Sequence, residues 1–320
     1  MKLEDIGFYT LSDDRARHTS IYAPLQRCEL VLTDICNLKC LYCRGLKNEY
    51  AGHIPKEKAL DIINFWAKEG LRNIRFSGGE PMLYPYIDEL VGHAAQLGIS
   101  RIAISTNGTA SIDRYRRLIA LGVNDFSISL DSGCCATATS LAGNINGAWD
   151  RASNAIKVLS ELTYVTVGVV IDEMNWKELS YTIDYIKTLK PSDIRIIPSA
   201  QYNRQISEMA DMDCEEYLIL NYRINNIRNS RHVRGLSKND CSKCFLVLDD
   251  MAIVGDHHYP CIIYLREKGQ PIGEIGNQMR ENRLLWFQDH NSHNDPICRM
   301  NCLDVCIDYN NKAQQFKQRG

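Results

Sequence analysis

The strongest constraint on this 320-residue chain is a strand–helix alternation through its first two hundred residues. Cys28 to Thr33 (CELVLT) is apolar and β-compatible, and Lys56 to Glu69 carries Ala59, Ile62, Ile63 and Trp66 at helical spacing. Asn73 to Phe76, Arg101 to Ser105, Asp125 to Leu130, Tyr164 to Ile171 and Asp193 to Ile197 read as five more strands. Residues 86–97, 112–121, 149–162, 176–189 and 214–228 read as helices between and after them. Parallel strands need crossover connections, so this rhythm predicts a parallel sheet backed by helices. Gly70, Gly98 and Gly122 fall at helix ends, where a left-handed cap costs glycine least. Six units fall short of the eight that close a TIM barrel. The expected fold is therefore α/β, a partial (β/α)6 TIM-like barrel.

Hydrophobic residues are 45% and charged residues 24%, the profile of a globular protein with a sizeable core. Lys plus Arg is 37 and Asp plus Glu is 39, so no global basic field exists to hold nucleic acid, and no nucleic-acid partner is expected. The opening MKLEDIGFYTLSDD lacks the apolar core of a signal peptide. No apolar run approaches the roughly 18 residues of a membrane span. A cytoplasmic chain without membrane contact is expected. Its thirteen cysteines are then anomalous. Reducing conditions favour metal over disulfides, and an odd count cannot pair fully. After residue 240 the rhythm gives way to six cysteines with few clear helices. The chain divides into an N-terminal extension (1–27, polar and irregular), a partial barrel (28–235) and a small C-terminal cysteine-rich module (236–320) that needs metal to hold a core.

Cys36, Cys40 and Cys43 follow the first strand at spacings of three and two intervening residues. Three thiolates from one loop can wrap one face of an iron–sulfur cube and leave one iron open. The competing reading is zinc or incidental thiols, but a closed zinc site takes four ligands, and His53 is the nearest other donor in the sequence. Phe76-Ser-Gly-Gly-Glu-Pro81 follows the second strand. Its paired glycines, Gly78 and Gly79, permit close backbone approach to a ligand, and Glu80 can accept from an ammonium group. Ser105-Thr-Asn-Gly108 ends the third strand, where a turn is the plainer reading and a ribose contact from Asn107 the functional one. Ser127-Ile-Ser-Leu-Asp131 brings Ser129 and Asp131 to the same rim.

As a set, the CxxxCxxC loop with Tyr42 before its last cysteine, then GGEP, STNG and SISLDS in order, resembles the radical S-adenosylmethionine (SAM) enzymes over about residues 28–200. The resemblance implies a [4Fe-4S] cluster on Cys36, Cys40 and Cys43, with SAM chelating the open iron. It implies that Gly78, Gly79 and Glu80 meet the methionyl ammonium, Asn107 the ribose, Ser129 the carboxylate region and Tyr42 the adenine. Reductive cleavage of SAM then gives a 5′-deoxyadenosyl radical that takes hydrogen from an unactivated C–H bond. Relatives often carry a basic residue shortly after the fourth strand. Leu141 to Gly147 has none, and Arg151, the nearest, reads better as a solvated helix charge.

The late cysteines are Cys241, Cys244, Cys261, Cys298, Cys302 and Cys306. A structural zinc site is the competing reading, since CxxC is also zinc spacing. With the first cluster in view, the run resembles the SPASM or shorter twitch extension, in which a hairpin between cysteines binds an auxiliary [4Fe-4S] cluster. LVLDDMAIVGDHHYPC fits the hairpin and PIGEIG its continuation, with one extra residue between glycine and cysteine. The resemblance implies one auxiliary cluster, two at most, with Cys244 and Cys261 the firmest ligands, then Cys241, Cys302 and Cys306, then Cys298. Ile262 stands where the sulfatase-maturing branch has an aspartate base, which argues against that reaction. His257 and His258 read as a solvated turn.

Cys28, Cys134, Cys135 and Cys214 lie outside both clusters. Cys134, Cys135 or Cys214 could return hydrogen to a substrate, though a free cysteine is more often a small buried hydrophobe. The expected activity is that of an oxidoreductase or epimerase, fed electrons by a flavodoxin or ferredoxin. The 27 residues before the first strand are fewer than a winged-helix leader-binding domain takes. That moves the expected substrate toward a small molecule, a carbohydrate or natural-product intermediate, ahead of a ribosomal peptide or protein that is cross-linked or epimerised. An alternative of another class is a non-catalytic iron–sulfur or zinc protein.

Overall fold

The computed structural model describes residues 13–20, 22–45, 51–202, 209 and 212–319. The six expected strands are present: β1 (Arg27–Thr33), β2 (Asn73–Gly78), β3 (Arg101–Thr106), β4 (Asp125–Ser129), β5 (Tyr164–Ile171) and β6 (Asp193–Pro198). All neighbouring pairs among them are parallel. Helices α2 (Lys56–Lys68), α3 (Ile87–Gln96), α4 (Ile112–Leu121), α6 (Ala148–Leu159) and α7 (Leu179–Thr188) are the crossovers, and α8 (Leu218–Arg228) follows β6. This is the expected partial (β/α)6 barrel. Near its start lies a short helix, α1 (Asp13–His18), and a further short helix, α5 (Cys135–Leu141), follows β4.

Alternation along the strands separates two faces. Leu30, Phe76, Ile104, Phe126, Val167 and Ile196 join the helices in one apolar core, with Trp66 fully enclosed. Truncating a core aromatic of that size costs about 3–5 kcal/mol. The residues between them, among them Glu29, Arg75, Ser105, Asp125 and Arg195, line the concave face, so the barrel interior is polar.

The cysteine-rich end departs from expectation in two ways. Its hairpin, β7 (Asp250–Val254) and β8 (His257–Tyr259), belongs to the barrel sheet. β7 pairs parallel with β1, and the sheet runs β6-β5-β4-β3-β2-β1-β7-β8-β9, where β9 is Gly273–Glu274. Arg27 forms an ion pair with Asp250 across that seam. The region is also largely helical: α9 (Ile262–Arg266), α10 (Met279–Asp289), α11 (Pro296–Asn301) and α12 (Asp304–Arg319). The apolar signal of α12 is sparse, with Val305, Ile307, Tyr309 and Ala313 buried among Asn, Gln and Lys in the sequence. Ala16 of α1 packs on Tyr309 and Ala313, so part of the nominally irregular N-terminal extension is docked. No helix among the described residues is long and apolar enough to cross a membrane.

His258 is not in a solvated turn. It is fully buried, with Nδ1 3.1 Å from Arg283, itself buried. Burial first, then Arg283 and His257, push its pKa down to about 3, so it is neutral in the fold. The unfolded chain takes a proton near pH 6.5, so stability falls as pH drops below that value, by about 1.4 kcal/mol per unit. His258→Gln keeps an acceptor for Arg283 without the titration. The fall in Tm between pH 7.5 and pH 5.5 should be smaller in this variant than in the wild type.

Candidate active site

In a parallel sheet every strand ends on the same rim, where ligand sites form. The loop leaving β1 carries Cys36 and Cys43, both exposed, and Cys40, half-buried. Its start lies against the exit of β2. Gly79 N–H donates to the Thr33 carbonyl (2.7 Å) and Glu80 N–H to that of Ile35 (2.8 Å). A Cβ on Gly78, at φ +143°, would sit 2.3 Å from the Thr33 oxygen, and one on Gly79 2.3 Å from the Ile35 oxygen. The space gained by the glycine pair is thus filled by the chain's own cysteine loop, where the sequence suggested a ligand. Further along, Lys39 N–H and Leu41 N–H donate to the carbonyls of Ala142 and Leu141, each at 3.1 Å. Gly143, at φ +80°, has no room for a Cβ beside the Lys39 oxygen, 2.6 Å away. The stretch after the fourth strand therefore braces the loop with backbone, and Arg151 is exposed as expected.

Glu80 is 1% exposed. Its carboxylate accepts from Met82 N–H (3.0 Å), the Thr106 hydroxyl (2.7 Å) and Asn107 N–H (2.7 Å), which ties the ends of β2 and β3 together. Burial raises its pKa and the three donors pull against that rise. Asn107 donates through Nδ2 to Asn37 (2.8 Å) and lies 4.0 Å from Cys36 Sγ. Ser129 is exposed at the end of β4.

Tyr42 points inward, and its hydroxyl donates to Asp131 at 2.5 Å. Asp131 also accepts from Val170 N–H at 2.8 Å. Burial lifts Asp131 to about 6 against these two donors, with Asp172 adding to the rise, and the Tyr42 phenol lies well above its ordinary value for the same reason. Asp131 thus anchors the last turn of the cysteine loop, a role its place in SISLDS did not disclose.

The donors fit an iron–sulfur cube better than one ion. Ligands of a single zinc sit near 2.3 Å from it, hence within about 4.6 Å of one another. Among the described residues only His290, Asp295 and Cys298 converge within 4.8 Å, so Cys36, Cys40 and Cys43 are spaced more widely. They still share a neighbourhood: burial first, then Asp131, Cys43 and Cys36, push Cys40 up to about 12. His53 stacks edge-on against Tyr84.

At the other end one cavity is lined by all six late cysteines. Burial pushes Cys244 up to about 11, and burial with neighbouring thiols pushes Cys261 up to about 12 and raises Cys298, Cys302 and Cys306 also. Cys241 Sγ lies 3.2 Å from the Lys243 carbonyl oxygen, with Asp240 and Lys243 as its electrostatic neighbours. Cys298 lies 3.5 Å from His290 Nε2. Among the remaining cysteines, Cys28 and Cys214 are buried in the barrel core. Cys134 opens α5 beside Glu178, where backbone N–H groups of Thr137 and Ala136 lower its pKa.

Comparison with known proteins agrees with this geometry. Residues 30–186 match the radical SAM superfamily profile and form a domain of that superfamily. Membership implies a [4Fe-4S] cluster and SAM. The chain is 31% identical over 186 residues to a probable GTP 3′,8-cyclase of Methanocella arvoryzae (57% of this chain, 59% of the relative). It is 30% identical over 162 residues to an AdoMet-dependent heme synthase of Methanosarcina barkeri (49% and 46%). Thus it spans about half the length of the curated relatives it matches. In fold it resembles Streptococcus suis SuiB bound to the precursor peptide SuiA (TM-score 0.61, 16% identity, 86% of this chain and 67% of that one). It also resembles anSMEcpe with bound AdoMet (TM-score 0.59, 14% identity, 92% and 95%).

Two variants test the bracing. Gly79→Ala puts a methyl into the Ile35 carbonyl, so the folded variant should lose the iron held by the first cysteine loop while keeping that of the late cysteines, read by iron analysis after reconstitution. Tyr42→Phe removes a donor from buried Asp131 and raises its pKa further. A carboxyl with a raised folded pKa stabilises the fold at low pH and loses that contribution as pH climbs. The Tm of Tyr42→Phe should therefore fall more than that of the wild type between pH 5 and pH 7.

Proposed function

We propose that the chain is a radical SAM enzyme that removes hydrogen from an unactivated C–H bond of a small molecule, a carbohydrate or natural-product intermediate, with oxidation or epimerisation as the outcome. The observation that carries this reading is the three-thiol loop pinned backbone-to-backbone on the rim of a parallel barrel with a polar interior. Residues 28–235 form the catalytic barrel and 236–320 a SPASM/twitch-like module. Cys36, Cys40 and Cys43 hold the [4Fe-4S] cluster, which when bound supplies the electron for reductive cleavage of SAM.

The chain's own groups set the geometry. Glu80, whose carboxylate accepts from Met82 N–H, the Thr106 hydroxyl and Asn107 N–H, ties the exit of β2 to the end of β3, so the rim contacts SAM as a rigid edge. Asn107 and the exposed Ser129 offer an amide and a hydroxyl to the ribose and carboxylate regions. Tyr42, fastened to Asp131, closes the adenine side. A preorganised rim of this kind positions reactants and excludes water. Cys244 and Cys261, with two more from Cys241, Cys302, Cys306 and Cys298, supply the four ligands of one auxiliary cluster. A flavodoxin- or ferredoxin-type donor in the cytoplasm provides the electrons. A second reading, a peptide or protein maturase, draws support from the likeness to SuiB, which is seen with a precursor peptide.

The test is anaerobic reconstitution with SAM and dithionite. The expected result is about eight irons per chain and formation of 5′-deoxyadenosine. Replacing Cys36, Cys40 and Cys43 together by alanine should leave about four irons and no 5′-deoxyadenosine, whereas replacing Cys244 and Cys261 together should leave about the four irons of the first loop. Complete iron loading without SAM cleavage in the wild type would turn the assignment toward a binding protein.

A further inference from the structure

Among the ionisable groups on the concave face of the barrel are Glu29 on β1, Arg75 on β2, Asp125 on β4 and Arg195 on β6. Three of the four have partners. Glu29 accepts from the Ser77 hydroxyl (2.8 Å) and lies 3.9 Å from Arg266. Arg75 donates to the Ser105 hydroxyl (3.3 Å) and sits 3.9 Å from Asp125. Arg195 makes no hydrogen bond or ion pair with any described residue, and its Nε is enclosed. Asp125 feels its charge only after those of Arg75 and Arg101.

The space around Arg195 is shaped for it. Gly168 is its register partner on β5, and a Cβ there would lie 3.2 Å from a terminal nitrogen of the guanidinium. Ser129 of β4 pairs with Gly168 in turn, so Ser129, Gly168 and Arg195 form one row across three strands. That row ends at the rim, where Ser129 is exposed and Arg195 half-buried. An enclosed guanidinium N–H without an acceptor is costly, as Arg195 Nε is here. Its planar fork matches the two oxygens of a carboxylate or phosphate. Glu29 and Asp125 are already engaged, and no carboxylate among the described residues pairs with Arg195, so an anion brought by a ligand would complement it.

We propose that Arg195 is a specificity-determining residue that receives an oxyanion, a carboxylate or a phosphate, carried by the substrate. The inference rests on the reading of this rim as the SAM site, and it narrows the substrate to an anionic small molecule. The row formed with Gly168 and Ser129 places that anion beside the SAM-binding edge, so the charge orients the neighbouring carbon framework toward the reacting centre.

The experiment titrates reconstituted, SAM-saturated protein with sodium phosphate and with sodium succinate by calorimetry at low ionic strength. Wild type should bind one of the two probes saturably. Arg195→Gln should weaken that binding at least tenfold, Arg195→Lys should retain part of it, and Arg116→Gln, a change at an exposed helical arginine, should leave it unchanged. Preference for phosphate assigns a phosphate ester as substrate, and preference for succinate a carboxylic acid. The inference is overturned if neither probe saturates the SAM-loaded wild type, or if Arg195→Gln binds as the wild type does. It is also overturned if Arg195→Gln loosens SAM by the same factor, which would give the guanidinium to the carboxylate of SAM. Failure of the wild type to cleave SAM overturns the functional reading instead, and the anion titration is independent of that cleavage.

Discussion

Everything at the rim depends on a contact in which two backbones meet without side chains between them. The exit of β1 lies on Gly78 and Gly79, and two N–H···O=C bonds of 2.7 and 2.8 Å close the seam. Because the contact is peptide to peptide, the cysteine loop inherits the rigidity of the sheet. Loops are ordinarily the mobile part of a fold, and a site that must hold three thiols in fixed relation cannot tolerate that mobility. Glu80 extends the same device to the next strand by bonding both Thr106 and Asn107. Asp131, through Tyr42, does so from the far side. The residues that look most available for chemistry in the sequence are, in large part, occupied in building the platform.

The barrel was legible because its apolar periodicity is strong: Leu30, Phe76, Phe126 and Val167 alternate with polar partners, and the crossovers carry broad apolar faces. The rim motifs were legible as residue types in order, and less so as roles. The sequence could not show that Glu80 spends its lone pairs on its own neighbours, nor that Gly143 clears room for Lys39, since both facts belong to loops meeting across long sequence gaps. The C-terminal helices were missed for a different reason. In α12 the buried apolar residues, Val305, Ile307, Tyr309 and Ala313, are few and set in a polar segment, and in α10 the buried positions include Arg283, which no hydrophobic pattern would pick. His258 was misread because a histidine beside a tight hairpin turn carries no mark of the helix that later covers it.

The polar lumen distinguishes this barrel from a packed one. A closed barrel of this type fills its interior with branched apolar side chains. Here the same positions hold Glu29, Arg75, Asp125 and Arg195, and most of the apolar core lies on the outer face. Such an interior is stable only with near-complete pairing, which makes a single unpaired member informative.

The pairing of β7 with β1 sets the order in which the molecule can be assembled. Arg27 to Leu30 find their neighbours in Asp250 to Ile253, more than two hundred residues downstream. Contacts of such separation close late and slowly. The strand that launches the cysteine loop is therefore an unprotected edge until Asp250 to Ile253 have left the ribosome. Insertion of the inorganic cofactors into a half-made chain would meet a thiol-bearing segment with an open hydrogen-bonding flank, exposed both to aggregation and to oxidation.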